Sequence, residues 1–369
     1  MVPRESPAPS GGRLLHFEIP VTRPKTDTRT QHPNTKRSGF VGDLTRGEKW
    51  PVTYEDIVAA REVLRGVAHR TPLTHSRTLS RLTGGQVYLK LENLQRTGAF
   101  KLRGAFHKVA TLTEAQRQRG IVTASAGNHA QGVALAAAHF GVPCTVVMPE
   151  HAPATKITAT RGYGAEVRLV GQNYDESYQY ARQLAGEGRT FVHAFDDPAV
   201  IAGQGTIGLE ILEDDPAIDT LIVPVGGGGL MAGIAIAVKS RHPQVRVVGV
   251  QPAGSNAAVQ AFHTGVPVHL DAPQSLADGL MVKAPGELPM AIIRQLADDM
   301  VTVTDDAIRN AILFLLERTK LLVEGAGAAG VAALLGGQVP AVGRRVAVIL
   351  SGGNLDLARL HTLARSSAS

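Results

Sequence analysis

The sequence predicts an α/β protein of two domains, each a mostly parallel twisted sheet flanked by helices, with a ligand cleft between them. Short apolar runs alternate with stretches of helical length along most of the chain, and strand–helix alternation favours parallel sheets covered on both faces. The chain has 369 residues, enough for two bodies of ~100–200 residues each. Several apolar runs end in glycine-rich turns, where open α/β sheets gather their ligands.

Ordered structure is expected from about Thr53. Thr-Tyr-Glu-Asp there opens a helical pattern at Ile57, Val58, Val63 and Leu64. Val87-Tyr-Leu-Lys-Leu91 alternates and reads as a strand, with a helix after Lys101. Strands are expected at 120–125, 144–148 and 166–170, with helices at 129–140 and 153–163 between them. Later strands are expected at 220–225, 245–251 and 345–350. Residues 114–196 read as the small, substrate-binding domain, and 49–113 with 197–369 as the large, ligand-holding one. Residues 1–48 lack periodicity and are rich in Pro, Thr, Arg and Gly. They read as a disordered tail, a targeting segment or an overextended start.

The formal net charge is +6, but nine basic and five acidic residues in the first 50 account for +4 of it. The body is nearly neutral, without the concentrated basic patch that a nucleic-acid surface needs. No apolar run approaches the ~20 residues that span a bilayer, and Leu14-Leu15 is too short for a signal-peptide core. Neither a nucleic-acid nor a membrane partner is therefore expected. The one cysteine, Cys144, lies in an apolar run and reads as a buried structural thiol. It rules out an intramolecular disulfide and fits a reducing, cytoplasmic setting.

Four segments carry possible chemistry. Lys101 lies in Glu92-Asn-Leu-Gln-Arg-Thr-Gly-Ala-Phe-Lys-Leu-Arg-Gly-Ala105, at the start of a helix. A helix start is electropositive and lowers a lysine pKa, although an ordinary solvated lysine would look the same. Ser125-Ala-Gly-Asn-His-Ala-Gln-Gly132 follows a strand, and its small residues let amides point at a carboxylate. A plain strand–helix turn is the alternative, and His129 there suits a supporting role better than that of a base. Val225-Gly-Gly-Gly-Gly-Leu-Met-Ala-Gly233 can offer a nest of N–H groups to a phosphate. It lacks the P-loop Lys-Ser/Thr and the dinucleotide spacing, so the phosphate belongs to a smaller molecule. Leu350-Ser-Gly-Gly-Asn-Leu-Asp356 puts Ser351 at the carboxyl end of a strand, or forms another tight turn.

Together these segments resemble the serine/threonine dehydratase family, within the tryptophan-synthase-β-like (fold type II) pyridoxal-phosphate enzymes. The resemblance runs from about residue 53 to 362. It also covers Met148-Pro-Glu-His-Ala-Pro153, Tyr163-Gly-Ala-Glu-Val167, Ala202-Gly-Gln-Gly-Thr206 and Val323-Glu-Gly-Ala-Gly-Ala328. The resemblance implies pyridoxal 5'-phosphate in the cleft, joined to Lys101, which also serves as acid and base at the α-carbon. Phe100 would pack beside its ring. Ser125, Ala126, Gly127, Asn128 and His129 would receive the substrate carboxylate, with Asn128 also reaching the cofactor's phenolic oxygen. Gly226, Gly227, Gly228, Gly229 and Leu230 would cradle the phosphate, and Ser351 would meet the pyridine nitrogen. A serine partner leaves that nitrogen largely neutral and favours elimination over transamination.

The activity implied is that of a threonine ammonia-lyase: water leaves L-threonine, or L-serine, to give 2-oxobutanoate or pyruvate and ammonia. A homo-oligomer (dimer or tetramer) and a place in amino-acid metabolism such as isoleucine biosynthesis are implied with it. The rival is a serine racemase or another β-elimination or replacement enzyme of the same fold. Racemases of the family typically carry a serine where this chain has Ala126 and an acidic metal ligand where it has Gln251. Both differences favour dehydration, and no metal site is expected. Many relatives have a serine where this chain has Ala99. The chain ends soon after Ser351, which leaves no room for a C-terminal regulatory domain, so feedback control through one is not expected.

Overall fold

The computed structural model describes residues 50–365, so the expectation for residues 1–48 lies outside the described residues. Among the described residues ten strands form two sheets: β1 (Leu73–His75), β2 (Gln86–Lys90), β3 (Ile121–Ala124), β4 (Cys144–Met148), β5 (Glu166–Leu169), β6 (Thr190–Phe191), β7 (Thr220–Pro224), β8 (Arg246–Pro252), β9 (Asp299–Val303) and β10 (Arg345–Ile349). The larger sheet runs β1-β2-β10-β7-β8-β9 and the smaller one β5-β4-β3-β6. Every pairing is parallel except β1 with β2. All four strands of the smaller sheet fall within 114–196. The expected α/β architecture is therefore the observed one.

The central strands form because they are continuous apolar runs. Residues Cys144–Met148 and Thr220–Pro224 are buried throughout, as suits strands covered on both faces. Helices supply that cover. Thr53 caps the helix Tyr54–Leu64 through a reciprocal capping box with Asp56. Helices Pro198–Asp214 and Gly229–Lys239 pack against each other and bury most of their residues. The close approach needs small residues: a Cβ on Gly205 would run into the Gly233 backbone. Three strands were not expected from the sequence, namely β1, β6 and β9. Among the described residues no helix is long and apolar enough to cross a membrane.

Candidate active site

A cavity of about 970 Å³ lies between the sheets. Its lining includes all four segments singled out in the sequence, with Phe100, Lys101, Ser125 to His129, Gly226 to Leu230, and Ser351. Residues more than 200 positions apart are brought together because strand ends converge here. β3 ends just before Ser125, β7 just before Gly226, and β10 just before Ser351.

Lys101 is the first residue of the helix Lys101–Ala110. Backbone pairing fixes the turn before it: Ala99 bridges Gly352, Phe100 N donates to Ser351 O at 3.1 Å, and Gly353 N donates to Gly98 O at 2.8 Å. Ala99 is fully buried in this bridge. The lysine Nζ donates to Ala194 O at 2.7 Å and stands 5.3 Å from the Phe100 ring centroid. No carboxylate pairs with it among the described residues. Burial brings its pKa down to about 8, because an uncompensated cation is costly away from water. The direction is the expected one, and the cause is desolvation.

The tetraglycine forms a tight turn at the start of a helix. Gly228 adopts φ 95°, a left-handed conformation that glycine tolerates, and caps the helix Gly229–Lys239. A Cβ on Gly227 would run into the Phe195 ring. The N–H groups from Gly226 to Leu230 have no protein acceptor among the described residues. These residues line the cavity at a helix N-terminus, a place that favours an anion. Gln251 is fully buried beneath this turn. Its Oε1 accepts from Val259 N at 3.0 Å and its Nε2 lies 3.5 Å from Gly226 O.

The second amide-rich turn starts the helix Asn128–Phe140. Gly127 N donates to the Ser125 hydroxyl at 3.2 Å, while the amides of Ala126, Asn128 and His129 find no protein acceptor among the described residues. The His129 ring is buried, with Nε2 bonded to Val192 O at 3.0 Å. Burial, helped by the Lys101 charge, lowers its pKa to about 3. The ring is therefore neutral and anchors the turn to the chain after β6. Ser351 is buried except at the cavity, and its hydroxyl has no protein partner among the described residues.

Sequence reasoning missed three contributors. Glu324 lies in the cavity wall and accepts from Asn128 Nδ2 at 2.6 Å. Asn354 Nδ2 donates to Asn128 Oδ1 at 2.8 Å, which fixes which way that amide faces. His193 also lines the cavity. Its Nδ1 accepts from Asp196 N at 2.8 Å and from Phe195 N at 3.3 Å, so Nε2 holds the ring hydrogen. The one sequence signal for Glu324 was an acidic residue in an otherwise apolar, glycine-rich stretch.

The cavity suits pyridoxal phosphate in the terms of its own groups: one amine of lowered pKa, a nest of open amides for a phosphate, and a free hydroxyl near the lysine. Comparison with known proteins agrees. The family model for pyridoxal-phosphate dependent enzymes matches residues 64–352. The chain is 51% identical over 307 residues to an L-threonine ammonia-lyase of Thermotoga maritima, which covers 83% of this chain and 76% of that one. It is 47% identical over 316 residues to the catabolic L-threonine dehydratase TdcB of Escherichia coli K12, covering 85% of this chain and 96% of that one. Among solved structures it is similar to maize serine racemase, with a TM-score of 0.82 and 34% identity over 86% of this chain and 98% of that one.

Proposed function

The chain belongs to the serine/threonine dehydratases among the pyridoxal-phosphate-dependent enzymes, and from that membership we propose that it eliminates water from L-threonine, and from L-serine, to release ammonia and a 2-oxo acid. The observation that carries this reading is the Lys101 amine facing a cavity with open amides at two strand–helix turns. One turn suits a phosphate and the other a carboxylate.

Bound pyridoxal phosphate supplies an aldehyde that joins amines and a ring that draws electrons from the α-carbon. Lys101 is the residue whose Nζ would hold that aldehyde when the cofactor is bound. The same Nζ would be the base for the α-proton of the amino acid. With a pKa of about 8 it is available as a base near neutral pH. Ser125 to His129 orient the substrate through its carboxylate, and the second N–H of Asn128 is available to the phenolic oxygen. Gly226 to Leu230 would hold the phosphate, Phe100 would flank the ring, and the Ser351 hydroxyl would meet the ring nitrogen. A hydroxyl there leaves the nitrogen neutral, which favours prompt loss of the β-hydroxyl.

Ala126 stands on the carboxylate side and has no proton to give, so it cannot serve as the second acid a racemase needs. The two sheets act as two domains in this reading, with 114–196 bringing the carboxylate site to the cofactor held by the rest. A homo-oligomer in the cytoplasm belongs to the same reading on family grounds, and sedimentation velocity checks its size. The direct test supplies L-threonine, L-serine and 3-hydroxyaspartate separately and measures 2-oxo acid and ammonia. Formation of both from L-threonine is expected. Conversion of L-serine to D-serine without oxo acid would overturn the reading in favour of a racemase.

A further inference from the structure

Glu324 is a carboxyl built into the cavity wall, without a counter-ion among the described residues. It is only 6% exposed and immediately precedes the helix Gly325–Leu335. Its Oε1 accepts from Asn128 Nδ2 at 2.6 Å, and its backbone N–H donates to Gly352 O at 3.1 Å. Gly352 makes the room, since a Cβ there would collide with Glu324 Oε1. On the far side of the amide, Asn354 Nδ2 holds Asn128 Oδ1 and also donates to Thr97 O at 2.8 Å. The carboxyl thus ties the carboxylate turn to the Ser351 loop.

Three charged groups face Glu324 from the elements around it. They are Asp278 in the turn Asp278–Leu280, Lys156 in the helix Ala154–Gly162 and Arg359 in the helix Leu357–Arg365. Both cations are engaged elsewhere: Lys156 pairs with Asp278 at 3.0 Å and Arg359 with the same carboxylate at 3.5 Å. A buried carboxyl without a paired cation keeps its proton longer than an exposed one.

We propose that Glu324 is a positioning residue of the elimination, which holds the Asn128 amide with its second N–H free for the cavity and admits the substrate carboxylate best while itself uncharged. The inference rests on the lyase reading above. Burial, reinforced by Asp278, raises the Glu324 pKa to about 7. Below that pH the carboxyl is neutral. Above it, a negative charge appears beside the turn that receives the substrate carboxylate, and like charges repel strongly where water is scarce. Affinity for an amino-acid carboxylate should then fall as pH rises through about 7. The substrate's own amine titrates the other way, so the comparison must be made against a variant.

The experiment uses the cofactor-loaded protein and Glu324→Gln, which keeps an acceptor for Asn128 but cannot ionise, with Glu324→Ala as the variant that removes the tether. Binding of L-2-aminobutyrate, which lacks a leaving group, is followed by the visible absorbance of the bound cofactor from pH 6 to 9. Relative to E324Q, the native protein should lose about tenfold in affinity between pH 6.5 and 8.5. In E324A, kcat for L-threonine should fall about 30-fold across the whole range, as Asn128 loses its tether. Parallel affinity profiles for the native protein and E324Q would overturn the charge role, and an unchanged kcat in E324A would overturn the tether. Failure of the lyase reading looks different: the native protein would make no 2-oxo acid, while the binding difference between it and E324Q could still be read.

Discussion

Lys90 and Lys101 are both drawn into the interior, and the protein treats them in opposite ways. Lys90 is fully buried, and its Nζ meets Glu210 at 2.6 Å and Thr71 O at 2.7 Å. Among the described residues Lys101 has one carbonyl and no carboxylate. The contrast extends to their neighbours. Glu210 sits between Lys90 and Arg103, with Arg103 Nη1 at 2.6 Å. Burial alone would raise its pKa, but Arg103 and Lys90 outweigh that and hold it low. Glu324, equally enclosed, has no such cation and moves up. Arg103 in turn is forked between Glu92 and Glu210, and those two carboxylates outweigh burial and keep it charged. Residue types are alike in the two regions, and both carboxyls are buried; the partners differ. Paired charges make a rigid underside to the helix that begins at Lys101, while unpaired ones keep titrations near neutral pH available for chemistry.

Breaking each region should therefore give a different loss. Lys101→Ala should reduce elimination by ~10³-fold or more while leaving the thermal transition nearly unchanged, since no ion pair is broken. It should also abolish the visible cofactor band that depends on the lysine. Full activity with the band intact would end the assignment of this residue. Glu210→Gln should do the reverse. It leaves Lys90 without its close carboxylate, and removing one partner of a buried pair costs about 3–5 kcal/mol. Chemical denaturation should show that loss, while kcat of the folded fraction stays within a few-fold. If stability is unaffected, the cluster is not the support described here.

A gentler probe sharpens the same contrast through pH. In the proposed role Lys101 must be neutral to join the cofactor, and burial lowers its pKa from 10.5 to about 8. Below pH 8 the charged form dominates, so the rate at which cofactor-free protein takes up pyridoxal phosphate should rise about tenfold per unit from pH 6 to 7 and level off above 8. Stopped-flow absorbance measures this. A rise continuing to pH 10 would show that the amine is solvated like an ordinary lysine.

The sequence made the site's turns legible and its charges obscure. Turns are local: glycine runs after apolar strands announce Gly226 to Gly229 and Ser125 to His129 through backbone freedom and strand periodicity. Strands long enough to show a pattern were equally clear, as at Cys144–Met148. β6 has two residues and β1 three, too few for any period to emerge. β9 begins on an aspartate and is only partly buried, as an edge strand can be. The fate of a charge depends on distant partners. Lys90 and Glu210 lie 120 positions apart, and Asn128 and Glu324 lie 196 apart. No local pattern says which carboxylate will find a cation. For the same reason Glu324 passed as part of a matching segment without a role.

Cys144 offers the smallest expected effect and a useful control on the comparison. It is a third kind of buried ionisable group, with neither a charged partner like Glu210 nor a cavity like Lys101. Its side chain is 9% exposed, on β4. Burial pushes its thiol up to about 12, despite the nearby Arg189 charge. The thiolate is the reactive form, and at pH 8 it would make up only ~10⁻⁴ of the molecules. A disulfide reagent at that pH should leave the native protein unmodified and fully active over an hour, then titrate one thiol after denaturation. Rapid modification of the folded protein would mean that this part of the smaller sheet opens far more readily than its packing implies. Burial without a partner would then no longer suffice to explain the shifts at Lys101 and Glu324.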